Sequence, residues 1–244
     1  DLHSFPTRRS SDLYSFVNMN TFGLHGTGDV KITCGNANVS LSFLLSNNIS
    51  IERVTLQKCG GWHTSTYTLH KYFPKLQGAL FKTALYFRYC RNLRVSDVEI
   101  SHSPGLGANL YDVGGVVNVT NSVFANNSGL YDHAIGIKSE LVYSGGGIFL
   151  MLNPYINNTL NVSSEEHDTY QHNNQYLFSN CHFLRNVAQW FGEENQELYT
   201  PARPFTLGGG LAVFFESNAS SCSVKIQGCT FRNNNASWGG GLQV

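Results

Sequence analysis

The sequence has little charge. Its 244 residues include 16 lysine and arginine residues and 16 aspartate and glutamate residues, together 13% of the chain and with no net charge. Soluble domains usually carry about twice that proportion. A balanced, weakly charged chain offers no electrostatic attraction to nucleic acid or to an anionic membrane, so we expect neither as a partner. No apolar run reaches transmembrane length, so we expect no membrane insertion within this sequence.

Two further absences narrow the fold and the chemistry. The hairpin dipeptides Asn-Gly and Asp-Gly do not occur, which disfavours a sandwich of hairpins. The six cysteines include no Cys-x-x-Cys pair, so we expect no zinc site, and we predict no other metal and no cofactor. The sequence does have 41% hydrophobic residues, 24 glycines and 25 asparagines, a composition typical of turn-rich β structure with a sizeable core.

The two ends of the sequence limit what can be assigned to the fold. Residues 1–13 (DLHSFPTRRSSDL) resemble the in-frame translation of a sequencing adapter, so we exclude them from the fold. Residues 14–244 are predicted to form one domain. Because the sequence stops inside a predicted strand, we expect a fragment truncated at both ends, with flanking domains or repeats in the same protein.

One spaced pattern recurs five times: two alternating apolar residues, a two-residue bend, a second short apolar strand, and then Cys, Ser or Asn. The first residues of successive copies lie 44, 24, 59 and 48 residues apart. The copies are Ile49-Ile51-Val54-Leu56-Cys59, Leu93-Val95-Val98-Ile100-Ser103, Val117-Val119-Ser122-Phe124-Asn127, Tyr176-Phe178-Cys181-Phe183-Asn186 and Val224-Ile226-Cys229-Phe231-Asn234.

Glycine runs add a third strand to this pattern. Gly145–Gly147, Gly208–Gly210 and Gly239–Gly241 each open an alternating apolar segment. Three short strands in a unit of about two dozen residues predict an all-β fold in which equivalent strands stack in parallel. The fold class we predict is a right-handed parallel β-helix, a solenoid with three short strands per coil.

The repeats resemble those of a known family. Their Phe-x-x-Asn and Gly-Gly-apolar motifs are similar to those of the chlamydial polymorphic outer-membrane proteins, within the right-handed parallel β-helix (pectin-lyase-like) family. The likeness covers residues 117–244 well and 30–103 loosely, since the first two copies lack both Phe and Asn. It implies a role in adhesion. The motifs that carry it are Phe183-Leu184-Arg185-Asn186, Phe231-Arg232-Asn233-Asn234, the shifted variant Phe124-Ala125-Asn126-Asn127 and the three glycine runs.

When equivalent strands stack, residues at the same position of successive repeats form a column, and each column has a structural role. We expect one interior ladder of large apolar side chains, formed by Leu56, Ile100, Phe124, Phe183 and Phe231. We expect Asn127, Asn186 and Asn234 at a corner, where the side chain can bind turn backbone groups and the residue tolerates a left-handed conformation.

Cysteines and glycosylation motifs bear on the location of the protein. Cys181 and Cys229 occupy the same position in adjacent repeats. They could form a disulfide, but an unpaired buried pair fits this position at least as well. The pairing of Cys34, Cys59, Cys90 and Cys222 is left open. Eight Asn-x-Ser/Thr motifs occur where chance gives about four, which favours an extracellular or cell-surface glycoprotein. These candidate N-glycosylation sites are Asn38, Asn48, Asn118, Asn126, Asn157, Asn161, Asn218 and Asn235.

Catalytic motifs are scarce. Enzymes of the pectin-lyase-like family act on polysaccharides. The motifs of its polygalacturonases, which are Asn-Thr-Asp, adjacent aspartates, Gly-His-Gly and Arg-Ile-Lys, do not occur in this sequence. Asp97, Glu99 and Asp112 are isolated carboxylates, more typical of solvated surface than of a paired acid site. The cluster Glu165–Asp168 has side chains that could hold a metal, but it lies in a polar loop beside two glycosylation motifs, which favours a solvated surface. We predict no catalytic residues.

Long insertions are predicted near residues 60–77, 128–144, 153–175 and 187–207. Three of them, all but 153–175, leave after the same corner column, so we expect their loops to project from one side. They carry aromatic residues suited to ligand contact, which are our candidate binding residues: Trp62, Tyr67, Tyr72, Tyr131, Trp190, Phe191 and Tyr199.

These observations predict a non-catalytic extracellular or cell-surface domain that recognises a glycan or a protein. The first alternative is a carbohydrate-active enzyme, a lyase or glycosidase of the same fold. The second alternative is a structural spacer in a larger surface protein.

Overall fold

The fold is all-β in the part of the chain that the structure, a computed structural model, describes. These residues are 13–34, 40–62, 82–132, 146–152, 174–191, 208–215, 222–236 and 239–243. They contain twenty strands in three sheets and no helix, and every strand pair but one is parallel. The first strand begins at Leu13, the last residue of the adapter-like segment.

Sheet A contains seven stacked parallel strands, one for each successive repeat. They are β1 (Leu13–Val17), β3 (Ser40–Leu44), β6 (Lys82–Arg88), β9 (Leu106–Tyr111), β13 (Ile148–Leu152), β17 (Leu211–Phe215) and β20 (Leu242–Gln243). The short strand β5 (Gly61–Trp62) pairs antiparallel with β6. The last three parallel strands follow the glycine runs, which confirms the third strand predicted from them.

Sheet B has two rows, joined by two long strands that run through both: β2 (Phe22–Thr33) and β4 (Asn47–Gln57). The first row continues with β7 (Arg91–Ser96), β10 (Gly114–Thr120), β14 (Asn174–Ser179) and β18 (Cys222–Gln227). The second row continues with β8 (Glu99–Ser101), β11 (Val123–Ala125), β15 (His182–Leu184) and β19 (Thr230–Arg232). A small sheet C pairs β12 (Ser128–Asp132) with β16 (Val187–Phe191).

The strand registers follow the predicted repeat. Ile51 pairs with Val95, and the same column continues through Val119, Phe178 and Ile226. An earlier repeat, absent from the prediction, places Leu24 and Ile32 opposite Ile51 and Leu56. Four residues, 26–29, interrupt its register, and they hide its spacing in the sequence.

The predicted interior ladder is confirmed. Consecutive members of the column Leu56, Ile100, Phe124, Phe183 and Phe231 are register partners. The rings of Phe124 and Phe183 stack at 5.3 Å between centroids, and those of Phe183 and Phe231 at 4.8 Å. A second ladder in sheet A, which the sequence pattern missed, stacks Phe16, Phe43 and Phe87 at 5.1 and 5.2 Å. Each fully buried ring stabilises the fold by about 2–3 kcal/mol.

Asn127, Asn186 and Asn234 form a hydrogen-bonded ladder at the corner after the second row. The Asn186 Nδ2 donates to the Phe124 carbonyl at 2.8 Å, and the Asn234 Nδ2 donates to the Phe183 carbonyl at 2.8 Å. In the other direction, the Asn127 amide donates to Asn186 Oδ1 at 3.1 Å, and the Asn186 amide donates to Asn234 Oδ1 at 2.9 Å. The predicted binding of turn backbone groups is confirmed.

The corner does not use the left-handed conformation that these asparagines were expected to tolerate. The left-handed residue is the one before each of them: Asn126 (φ 55°), Arg185 (φ 51°) and Asn233 (φ 55°). The amide of the ladder asparagine has to face inward, so the preceding residue makes the turn.

The bend between the two rows of sheet B uses the same principle with smaller side chains. Ser122 Oγ accepts from the Val98 amide at 3.1 Å and donates to the Thr120 carbonyl at 2.8 Å. Cys229 Sγ accepts from the Cys181 amide at 3.4 Å. A buried amide of one repeat is therefore satisfied by a side chain of the next.

The glycine runs and the Phe-x-x-Asn motifs occur together for a steric reason. A Cβ on Gly147 would lie 3.0 Å from the Phe183 ring and 3.2 Å from Asn186 Nδ2. A Cβ on Gly210 would lie 3.0 Å from both the Phe231 ring and Asn234 Nδ2. The last glycine of each of the first two runs thus leaves the space that the next Phe-x-x-Asn motif along the chain occupies.

The two large sheets differ on their outer faces. In sheet A the column Ser42, Tyr86, Asn109, Phe149 and Ala212 alternates with the interior ladder and is buried as well. In sheet B the corresponding outward column is half-buried or exposed; it contains Ser50, Arg94, Asn118, Leu177 and Lys225. Solvent therefore reaches the outer face of sheet B.

We predict that Asn186→Ala lowers the free energy of unfolding by about 2–4 kcal/mol, because it leaves the Phe124 carbonyl and the Asn127 amide buried without their partner. Urea unfolding of unglycosylated protein measures this loss. The matched control is Asn235→Ala, an exposed asparagine one residue beyond the ladder, which we expect to cost less than about 0.5 kcal/mol. Equal losses in the two variants would contradict the ladder.

Candidate functional site

Two of the predicted insertions begin side by side at the asparagine corner. The Val187 amide donates to the Asn127 carbonyl at 2.8 Å, so the strand after Asn186 lies beside the strand after Asn127. Residues 128–132 and 187–191 were predicted as loop, but they are strands β12 and β16, because the parallel stack continues past the corner. A Cβ on Gly129 would lie 3.0 Å from Leu106 Cδ2, so β12 runs close to the start of β9.

This pairing brings three candidate aromatic residues to one edge. Tyr131 is the register partner of Trp190, and Phe191 is the partner of Asp132. Register partners in neighbouring parallel strands lie about 4.8 Å apart. We call this pair of strand ends, with Tyr131, Trp190 and Phe191, the aromatic edge.

Trp62 does not join the aromatic edge in the same sheet. It lies in β5, whose backbone pairs with Lys82 in sheet A. The next corner along the stack, Ser103 to Leu106, has no insertion and separates it from β12; a Cβ on Gly60 would contact Ser103 Oγ there at 2.7 Å. The remaining candidates, Tyr67, Tyr72 and Tyr199, lie outside the described residues, as do residues 165–168.

The carboxylates considered as acids do not come together. Asp97 is an exposed bend residue with φ 54°, and Glu99 is exposed on β8 in the second row of sheet B. Asp112 stands at a different bend, between sheet A and the first row. These positions do not form the paired carboxylates of a glycosidase site.

A charged cluster on the outer face of sheet B was missed by sequence reasoning. The Glu52 carboxylate accepts from Ser50 Oγ at 2.9 Å, pairs with Arg94 Nε at 2.9 Å, and lies 3.2 Å from His25 Nδ1. The Ser50 hydrogen bond, together with the interactions with Arg94 and His25, holds the pKa of Glu52 below its usual value despite an opposing effect of burial. The register of β2 with β4 and β7 would have revealed the cluster, but the interruption at residues 26–29 hides it.

A second charged cluster lies at the end of β6. The Arg88 guanidinium is 6% exposed and its Cζ lies 5.0 Å from the ring centroids of both Tyr89 and Tyr111. Arg88 Nη2 donates to the Tyr89 hydroxyl at 3.3 Å. Burial raises the pKa of Tyr89 to about 12, with a smaller opposing effect of Arg88. This buried cation–π contact stabilises the corner between sheet A and sheet B.

The structure shows which cysteines are paired. Cys34 and Cys59 form a disulfide that joins the first two repeats, with Cα atoms 4.9 Å apart. Cys90, Cys181, Cys222 and Cys229 are free thiols, so Cys181 and Cys229 are unpaired, as one of the two predicted alternatives has it, but only Cys181 is buried and Cys229 is partly exposed. A disulfide is typical of proteins from oxidising compartments.

Four of the glycosylation candidates are described. Asn235 is exposed and Asn126 is half-buried at the left-handed corner position. The Asn48 amide group is engaged, with Nδ2 donating to the Asn20 carbonyl and Oδ1 accepting from Asn92, each at 3.2 Å. Asn118 lies within β10, flanked in sheet B by two further strands. Asn38, Asn157, Asn161 and Asn218 lie outside the described residues.

Comparison of the chain with protein-family models, curated proteins and solved structures finds no match. Over the ranges that the structure describes, no helix is long and apolar enough to cross a membrane. Over the same ranges, no group of three or more His, Cys, Asp or Glu side chains is placed to hold a metal ion.

We predict that alkylation at pH 8 separates the free thiols into two classes. Burial raises the pKa of Cys90 and of Cys181 to about 12, so their reactive thiolate is scarce in the folded state, whereas Cys222 and Cys229 are partly exposed. Peptide mass spectrometry after iodoacetamide treatment should show Cys222 and Cys229 modified first, and all four modified alike in urea. Because burial raises the pKa of Cys90 and Cys181 in the folded state, their protonated thiols contribute fully to stability below about pH 8.5, the pKa of a free thiol. This contribution is lost as the pH rises towards 12. Labelling of native Cys181 as fast as Cys229 would contradict the burial.

We predict that Asn126 and Asn235 carry N-glycans when the chain is secreted from a eukaryotic cell, since neither side chain is committed to a hydrogen bond in the described part of the fold. Ser128→Ala and Ser237→Ala remove the two motifs without changing either asparagine, and each should remove the mass of one glycan. The same variants made in a host without N-glycosylation control for stability. Unmodified Asn126 and Asn235 beside glycosylated neighbouring sites would refute the assignment.

Proposed function

We propose that the chain is a right-handed parallel β-helix. The support is the order of the strands: each repeat contributes in turn to sheet A, the first row and the second row of sheet B, and then returns to sheet A one strand further along. A right-handed path follows the general preference of parallel crossover connections.

We propose that this β-helix is a non-catalytic recognition domain, extracellular or at the cell surface, that binds a glycan or a protein ligand. The observation that carries the proposal is the pairing of β12 with β16, which sets Tyr131 beside Trp190 at the start of two long insertions. Aromatic residues on neighbouring strands of a rigid scaffold suit stacking on sugar rings or anchoring in a protein interface. The Cys34–Cys59 disulfide and the frequency of glycosylation motifs support the location.

The test is retention of residues 14–244, produced by secretion, on immobilised neutral and acidic polysaccharides and on cell surfaces. We expect Trp190→Ala to weaken retention about tenfold or more, as hot-spot aromatic residues do. Arg94→Ala, on the outer face of sheet B, is the matched surface control and should leave retention unchanged. Trp62→Ala reports separately whether the β5 segment contributes.

Three outcomes would redirect the assignment. Equal retention of Trp190→Ala and the unchanged chain would remove the aromatic edge from the binding surface. Retention of neither protein on any support would favour the structural spacer. Release of shortened or unsaturated sugars by the unchanged chain would favour the carbohydrate-active enzyme.

A further inference from the structure

The last described repeat is less buried than the repeats before it. Phe124 and Phe183 are 1% and 0% exposed, whereas Phe231, in the same ladder, is partly exposed. Asn127 and Asn186 are fully buried, whereas Asn234 is partly exposed. Val224 and Ile226 are likewise more exposed than their register partners Tyr176 and Phe178. One face of β18 and β19 therefore leaves part of each ladder in contact with solvent.

The same face has unfilled hydrogen-bond positions. The Phe183 carbonyl accepts from Asn234 Nδ2, but in the described part of the chain no side chain donates to the equivalent carbonyl of Phe231. The Asn186 amide donates to Asn234 Oδ1, but the Asn234 amide has no such acceptor among those residues. The Cys181 amide donates to Cys229 Sγ, and the Cys229 amide likewise has no described acceptor.

The third glycine run also borders unfilled space. Gly147 and Gly210 each pack against the Phe ring and the Asn amide of the next Phe-x-x-Asn motif along the chain. Among the described residues, a Cβ on Gly241 would meet Phe231 of the preceding strand alone, at 3.2 Å. The space beside Gly241 has the form that a Phe ring and an Asn amide fill in the two earlier repeats.

The opposite end of the stack does not have the complementary chemistry. At the start of the stack the sequence has Gly35 three positions after Ile32, where Asn127 follows Phe124, and residues 26–29 break the strand register. A Cβ on Gly26 would overlap the Arg53 carbonyl, so this interruption is packed tightly against β4. A second copy of the chain, stacked head to tail, would therefore not supply the missing partners.

We infer that the exposed face of β18 and β19 is a docking surface for a further repeat segment with a Phe-x-x-Asn motif. Its phenylalanine stacks on Phe231, and its asparagine donates to the Phe231 carbonyl and accepts from the Asn234 amide. A Ser or Cys at its bend accepts from the Cys229 amide. The surface is distinct from the aromatic edge, so it stands or falls independently of ligand recognition.

The experiment adds such a repeat in register. Because Leu242 pairs with Leu211, a second copy of residues 211–241 inserted between Gly241 and Leu242 continues every column. Cys222→Ser and Cys229→Ser in the inserted copy leave the original Cys229 as the reporter. The control insert carries Phe231→Ala and Asn234→Ala in addition.

We expect the insert to slow alkylation of the original Cys229 about tenfold, towards the rate of Cys181, and the control insert to leave it unchanged. A synthetic peptide of residues 222–236 with both cysteines replaced by serine, added to the unmodified chain, gives the same comparison without altering its folding. If neither insert nor peptide protects Cys229, or the control protects equally, the inference is overturned. Protection of Cys229 that rises with the concentration of the unmodified chain alone would overturn it in favour of self-association.

Discussion

The fold depends on one requirement: each buried bend leaves a main-chain amide or carbonyl directed at the neighbouring repeat, and a side chain of that repeat has to meet it. Asn186 does this at the corner, and Ser122 does it between the rows of sheet B. An unmet group of this kind costs about 1–3 kcal/mol, so the choice of Asn, Ser or Cys at a bend is as constrained as the choice of Phe in the ladder. Parallel, in-register stacking follows from meeting both demands in every repeat.

This requirement explains which features the sequence could predict. The repeat, the interior ladder and the corner asparagines were predictable because stacking places like residues at fixed offsets, from Val95 to Val119 as from Phe178 to Ile226. The repeat containing Leu24 was missed because residues 26–29 shift its second half by a few positions. The left-handed residue was misplaced by one, since residue type alone does not say whether Asn126 or Asn127 points inward.

The candidate site was predictable only in part, for a related reason. That the insertions after Asn127 and Asn186 leave together follows from the shared corner column. That they continue as paired strands depends on backbone hydrogen bonds, such as the one from the Val187 amide to the Asn127 carbonyl, which have no side-chain signature. The Cys34–Cys59 disulfide and the Glu52 cluster both required the hidden first repeat, and neither could be assigned before its register was known.

The uninterrupted corner from Ser103 to Leu106 shows how little the scaffold depends on its insertions. There the Ser103 Oγ accepts from the Gly105 amide and donates to the Leu106 carbonyl, and the chain re-enters sheet A at once. Successive members of a column stay in register whether 24 or 59 residues of sequence separate them. Because the entropy of closing a loop rises only with the logarithm of its length, the corner tolerates exchange of one loop for another at small cost. Under the proposed function, ligand recognition would diversify by replacement of loops while the ladders beneath them stay fixed, much as one antibody framework carries many different loops.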